Sequence, residues 1–306
     1  MLLQKLHQSI QQHPRYAEII SFALLISLMV IWGLCWPIMK IAIVDMPPAW
    51  VAVTRLATGA LCFFPYLIIS KTFKIPTCAD LPIILSVGLL QMALFTFLSL
   101  VGLQHVAAGR STILVYTTPL WVTPLAVFFF KEPLPPAKIM GLALGISGIL
   151  VLFNPFDFDW HNHNVVVGNC LLIAAAIIWA ICILHIRFAK WVSTPAQLLP
   201  WQMSIGAIFA TILAFIFSPN PHIHWSWHLV GLLFYIGPIA SALGYWMVVE
   251  VSRRLPAITT SLCLLGVPIF GLFFSKIILG EAIGLQNGIS VALIIMGLIF
   301  ITRARS

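Results

Sequence analysis

Two arginines lie inside long apolar runs of this 306-residue chain, where an unpartnered charge is hard to sustain. Arg55 sits about one and a half helical turns, ~9 Å, past the start of an apolar run at 49–70. A guanidinium there presents a planar fork of N–H donors that matches a carboxylate or a phosphate, so Arg55 is a candidate substrate-holding cation facing a wet cavity. The competing reading is a side chain that snorkels to lipid headgroups. Arg110 stands in the same relation to a later run, with the same two readings. Lys40 and Lys276, at run ends, read as interfacial anchors. Aromatic rings surround these positions. Trp32, Tyr116, Trp179 and Tyr245 fall well inside apolar runs, as do Trp36, Trp121 and Trp246, whereas anchoring aromatics belong at interfaces. They suit a cavity wall, or ordinary helix packing. Gln91 and Gln202 add the few oriented polar groups that a small-molecule site needs, with Thr54, Thr96 and Ser111 nearby.

Other chemistries lack their parts. The eight acids are Glu18, Asp45, Asp80, Glu132, Asp157, Asp159, Glu250 and Glu281, and all fall at run ends or between runs. None sits near a bilayer midplane, so there is no candidate intramembrane proton carrier. The six cysteines have no C-x-x-C spacing and read as small packing residues rather than disulfides or metal ligands. Gly145–Gly148 spells G-I-S-G, which also surrounds the serine of rhomboid-type proteases. A partner histidine well within a later run is missing, since His185 lies near a run end and His222, His224 and His228 lie in or beside a polar loop, so no catalytic residue is assigned. His161 and His163 alternate with asparagine in a polar stretch and read as solvated, so no metal or cofactor is expected.

The elements that must position these groups are helices in lipid. Apolar residues make up 61% of the chain and charged residues 8%, which leaves too little charge to cover a soluble domain. About 20 apolar helical residues span ~30 Å of hydrocarbon. The sequence predicts ten such spans, near 17–39, 49–70, 81–103, 106–130, 137–153, 165–187, 195–217, 227–249, 256–279 and 283–301. The polar stretch 1–16 has no signal-peptide pattern, so the first span is read as retained.

The chain also repeats itself. Pro119 and Glu132 recur as Pro268 and Glu281 at an offset of 149, with Gly88 on Gly237 and Gly148 on Gly297. Earlier the offset is 147, placing Trp32 on Trp179, Gly59 on Gly206 and Arg55 on Gln202. The predicted fold class is therefore an all-α polytopic membrane protein of ten transmembrane helices in two five-helix repeats, at 17–153 and 165–301. A five-span unit is odd-numbered, so the second copy enters the membrane upside down. With residues 1–16 and 302–306 cytoplasmic, twelve of sixteen Lys and Arg face the cytoplasm and four do not. The cations are spread over separate loops, which favours anionic lipid and excludes a nucleic-acid site.

Glu132 then closes the inner end of the fourth span and Glu281 the outer end of the ninth, each a candidate cap or gate. Pro119 and Pro268 place matching kinks in those two spans, suited to rocking helices or to a static bend. These motifs resemble the drug/metabolite transporter superfamily in its EamA-like branch, over essentially the whole chain. The resemblance rests on IWGLCWPIMK at 31–40, PPAWVAVTR at 47–55, AAGRSTILVYTTPLW at 107–121 with KE at 131–132, and LPAITTSLCLLGVPIFG at 255–271 with LGE at 279–281. It implies ten helices around a central cavity reached alternately from each side of an inner membrane, and a small-molecule substrate. The expected function is transport of a small polar metabolite that carries a carboxylate, with amino-acid export the specific reading. A multidrug or aromatic-cation carrier and an intramembrane enzyme are the alternatives. Lys131-Glu132 against Gly280-Glu281 departs from strict repetition, so the two gates need not behave alike.

Overall fold

The structure, a computed structural model, describes residues 14–131, 134–153, 161–248 and 266–303. The N-terminal stretch 1–13, Glu132, the 154–160 part of the loop after the fifth predicted span, and 249–265 lie outside the described residues. In lipid each backbone N–H and C=O must be satisfied within its own segment, so apolar runs become helices. The described residues hold helical segments α1 (Pro14–Asp45), α2 (Pro48–Ile69), α3 (Cys78–His105), α4 (Ala108–Phe130) and α5 (Pro136–Phe153). They continue as α6 (His163–Phe188), α7 (Pro195–Phe217), α8 (Trp227–Val248), α9 (Gly266–Leu279) and α10 (Leu285–Arg303). No strand occurs among the described residues.

Seven of these are long and apolar enough to cross a membrane, against the ten spans expected from the sequence. The other three are apolar helices over Pro136–Leu152, Gly266–Leu279 and Leu285–Ile301, each of 10–17 residues. At 1.5 Å per residue the longest of these apolar stretches reaches ~25 Å, and α10 taken to Arg303 ~28 Å, short of ~30 Å of hydrocarbon. For α9 the expected span began at 256, and its first ten residues are not described.

Local sequence sets the ends. Pro48 and Pro195 open α2 and α7 at first-turn positions where no N–H is needed. Thr194 and Gln197 form a reciprocal capping box on α7, and the Asn162 and Ser226 side chains accept from Val165 and Leu229 at the starts of α6 and α8. α4 and α9 end alike. Lys131 (φ 53°) and Gly280 (φ 68°), repeat mates, both take the left-handed conformation that stops a helix. Glycine does so without strain, and lysine does not. Two stretches widen to π-helical winding, Val87–Leu94 in α3 and Tyr235–Leu243 in α8, and the repeat offset carries one onto the other.

The two halves interleave. α2 packs on α7, α3 on α6 and α7, α1 on α9, and α5 on α10. The α5–α10 crossing brings backbones together: a Cβ at Gly297 would stand 2.5 Å from the Gly141 carbonyl oxygen and 2.7 Å from the Gly145 nitrogen. Large apolar side chains such as Ile69, Phe128 and Trp227 face outward, an exterior that suits lipid.

Cross-links define two ends. At one, which carries Lys71, Lys74 and Lys190 and is called here the basic end, buried Asp80 accepts from the Val192 N–H (2.8 Å), the Ser193 N–H (3.0 Å) and the Ser193 hydroxyl (2.8 Å). The same carboxylate accepts from the Thr77 N–H (3.0 Å) and hydroxyl (2.9 Å), so it ties the start of α3 to the α6–α7 loop. At the far end the His224 N–H donates to the Asp45 carbonyl (2.9 Å) and the Trp50 indole to the Ser218 carbonyl (3.0 Å). Thus α1 finishes at the far end and its mate α6 at the basic end; α2 and its mate α7 are likewise opposed.

Candidate functional site

Two chambers that share lining residues lie in the middle of the bundle. The inner one lies between Trp32, Met39, Arg55, Ser99, Tyr116 and Tyr245, among others. The second, the roomier of the two, extends past Gln91, Gln202 and Ile186 to Trp191 and Pro195 at the basic end. Trp32, Trp179 and Tyr245 line both, so they form the neck between them.

α2 carries Arg55 into the inner chamber, where two neutral groups orient it. Nε donates to the Ser241 hydroxyl (2.8 Å), and Nη1 contacts the Met39 sulfur at 3.2 Å. Ser241 in turn donates to the Ile236 carbonyl (2.9 Å) inside the π-helical turn of α8. Among the described residues no carboxylate pairs with this guanidinium. Among those residues its charge therefore lacks the counter-ion that intramembrane cations usually keep.

The aromatic walls are built by contact across the halves. Trp32 meets Tyr245 edge-on at 5.6 Å between centroids, and its indole N–H donates to the Ala240 carbonyl at 2.9 Å. Trp179 meets Tyr116 at 5.9 Å and Phe95 at 5.2 Å. Edge-to-face pairs of this kind hold rings at fixed angles. Gln91 accepts a weak contact from the Cys182 thiol at 3.7 Å. Buried Gln202 also lines the second chamber, one repeat after Arg55.

Seven of the eight candidate substrate residues therefore share the chambers: Trp32, Arg55, Gln91, Tyr116, Trp179, Gln202 and Tyr245. Arg110 is not in either wall. Its Nε donates to the Asn169 Oδ1 at 3.0 Å, and Asn169 Nδ2 donates to the Val165 carbonyl at 2.7 Å, so it clamps α4 to α6. Lys40, expected as a headgroup anchor, instead folds onto the C-terminus of α3. Its ammonium donates to the carbonyls of Leu103 (2.5 Å), Gln104 (3.1 Å) and Val106 (2.9 Å).

Glu281 spans the far end. Its two carboxylate oxygens accept from the Ala108 N–H (2.6 Å) and the Gly109 N–H (2.9 Å), the positive end of α4. The left-handed turn at Gly280 aims it there. Pro119 starts the lower part of α4 just after a break at Tyr116–Thr117, and Pro268 is buried near the described start of α9. Among the described residues no cluster of three or more His, Cys, Asp or Glu is placed to hold a metal ion.

Ser241, Ala240, Phe95 and Asp80 are structural contributors that sequence reasoning passed over. One usable signal existed: the 147-residue offset relating Trp32 to Trp179 also relates Cys35, in the inner wall, to Cys182.

The EamA-like transporter family model matches this chain twice, over residues 19–154 and 166–303. The chain belongs to the EamA-like transporter family. It is 28% identical over 278 residues to "Uncharacterized transporter YoaV" of Bacillus subtilis, covering 90% of this chain and 94% of the relative. It is 26% identical over 279 residues to a "Probable amino-acid metabolite efflux pump" of Salmonella typhimurium, covering 88% and 90%. A solved structure described as "Crystal structure of protein" has the same fold, with a TM-score of 0.60 at 18% identity over 90% of this chain and 95% of the other. This EamA-family protein is thus a multi-pass membrane transporter for a small molecule, and the family describes carriers rather than enzymes.

Proposed function

We propose that this transporter moves a small carboxylate-bearing metabolite, an amino acid or close relative, by alternating access, and that export is its direction. The observation that carries the reading is Arg55: a cation in a central chamber, held by a hydroxyl and a thioether, with no carboxylate partner among the described residues. A substrate anion supplies the missing charge, and the aromatic neck covers the rest of the molecule. An aromatic cation would find the same rings but would face an unneutralised guanidinium. The relative's name as an amino-acid metabolite efflux pump points the same way.

In this proposal ten spans form two inverted repeats, with the basic end and both termini on the cytoplasmic side of the inner membrane. The second chamber then leads to the cytoplasm, while Glu281 on the start of α4 holds the outer end shut. Pro119, Pro268, Glu132 and Glu281 mark the moving spans.

The test is flux in proteoliposomes. Losing one charge-assisted contact of ~1.5–3 kcal/mol weakens binding ~10- to 150-fold. Arg55→Ala should remove counterflow of the carboxylate substrate while the protein stays folded. Unchanged counterflow in that variant would overturn the assignment.

A further inference from the structure

The two tryptophans of the neck are repeat mates, and so are two backbone carbonyls in the π-helical turns of α3 and α8, those of Gln91 and Ala240. In α8 the Gly244 N–H reaches back to the Ile239 carbonyl, so it does not take the Ala240 oxygen that α-helical geometry would give it. Trp32 takes that oxygen instead, at 2.9 Å. In α3 the Phe95 N–H reaches back to the Leu90 carbonyl and likewise passes over the Gln91 oxygen. The offset of 149 that carries Phe95 onto Gly244 carries Gln91 onto Ala240, and 147 carries Trp32 onto Trp179. The second half of the pattern is therefore set up but not joined. Among the described residues the Trp179 indole N–H has no hydrogen-bond partner, and its ring faces both chambers against Tyr116 and Phe95.

An indole donor that ends up in an apolar wall seeks an acceptor. A π-helical turn offers one, because the carbonyl keeps a lone pair that its own helix does not use. We propose that Trp32 and Trp179 form a reciprocal latch, Trp32 on the Ala240 carbonyl in the conformation seen here and Trp179 on the Gln91 carbonyl in the opposite access state. This rests on the alternating-access reading above. When inverted halves exchange conformations, each mate takes the other's contact, so one bond breaks as its counterpart forms. The latch sits at the neck, where the change in access has to pass. The bond at Trp32 holds the basic-end chamber open, and the bond at Trp179 closes it.

The experiment reads access without substrate. In a cysteine-free background, Ile186→Cys places a thiol in the second chamber wall. Its rate of labelling by a membrane-impermeant maleimide, added from the basic end, reports how often that chamber is open. Trp32→Phe keeps the ring against Tyr245 and removes only the donor. A net hydrogen bond biases a two-state equilibrium roughly 2- to 10-fold, so labelling, which follows the open fraction, should slow by up to that factor. Adding Trp179→Phe removes the donor from the other state and should restore the parent rate. Gly244→Ala acts from the opposite side, because a Cβ there would stand 2.5 Å from the Trp32 indole nitrogen, and it should slow labelling as Trp32→Phe does. Parent-rate or faster labelling in folded Trp32→Phe and Gly244→Ala overturns the latch, as does a double variant that stays slow. Counterflow with carboxylate substrates is scored separately. Loss of counterflow with the labelling pattern intact rejects the substrate reading alone, and normal counterflow with no labelling pattern rejects the latch alone.

Discussion

Replacing Lys40 by methionine removes an ammonium and keeps nearly the same stem. In the structure that ammonium donates to three carbonyls at the end of α3, those of Leu103, Gln104 and Val106. Helix ends leave carbonyls unsatisfied, and a cation there also meets the negative end of the helix dipole. The Gln104 contact is exposed, so water replaces it at little cost. The Leu103 and Val106 contacts are partly buried, and losing each costs about 1–1.5 kcal/mol. Lys40→Met should therefore destabilise by about 2–3 kcal/mol, which lowers the apparent Tm by roughly 3–5 °C for a chain of this size. Lys40→Arg should recover only part of this, because a planar fork cannot converge on three oxygens. The assay is thermal unfolding of purified protein in neutral detergent and in anionic lipid nanodiscs. A cap predicts the same loss in both. A headgroup anchor predicts a loss confined to anionic lipid and full rescue by arginine. A shift under 1 °C for Lys40→Met in both media would refute the cap.

Further outcomes follow from the same geometry. Lys131→Gly should raise the apparent Tm by about 1–3 °C, because it relieves a left-handed lysine worth ~1–2 kcal/mol of strain. Gly297→Ala should lower it by several degrees through overpacking against Gly141, of order 1–3 kcal/mol, whereas Gly231→Ala, with nothing within 4 Å of the new methyl, should leave it level or slightly higher. Asp80→Ala should lower the melting temperature more than Ser193→Ala does. It orphans the buried Ser193 N–H and the partly buried Val192 N–H of the α6–α7 loop, while the serine change removes one of five contacts. Equal shifts would show that the carboxylate is not the hub.

Hydropathy and repetition made much of the architecture legible, because both are properties of the chain read along its length. A run of apolar residues has to be a helix in lipid wherever it lies. Arg55 was legible because charge inside such a run is rare. Its partner Ser241 was not, since it sits 186 residues away and its hydroxyl reaches Arg55 only after α8 winds into a π-turn. Arg55 and Arg110 look alike in sequence, each shortly after the start of a run. Only packing turns one toward the chamber and the other toward Asn169 on α6. Lys40 was misassigned for a related reason: the carbonyls that it caps lie on a different helix, 63 to 66 residues on. The three short helices show the limit of hydropathy, which marks apolar runs but not how much of each run the helix uses.

The most direct measurement compares an amino acid with its amide. The pair differs in the carboxylate alone, the group assigned to Arg55. Counterflow into proteoliposomes would be measured for both, with the parent protein and with Arg55→Gln. The parent should move the acid at least 10-fold better than the amide, and Arg55→Gln should erase that preference. A parent that moves acid and amide equally, or an Arg55→Gln variant that keeps the preference, would contradict the assignment.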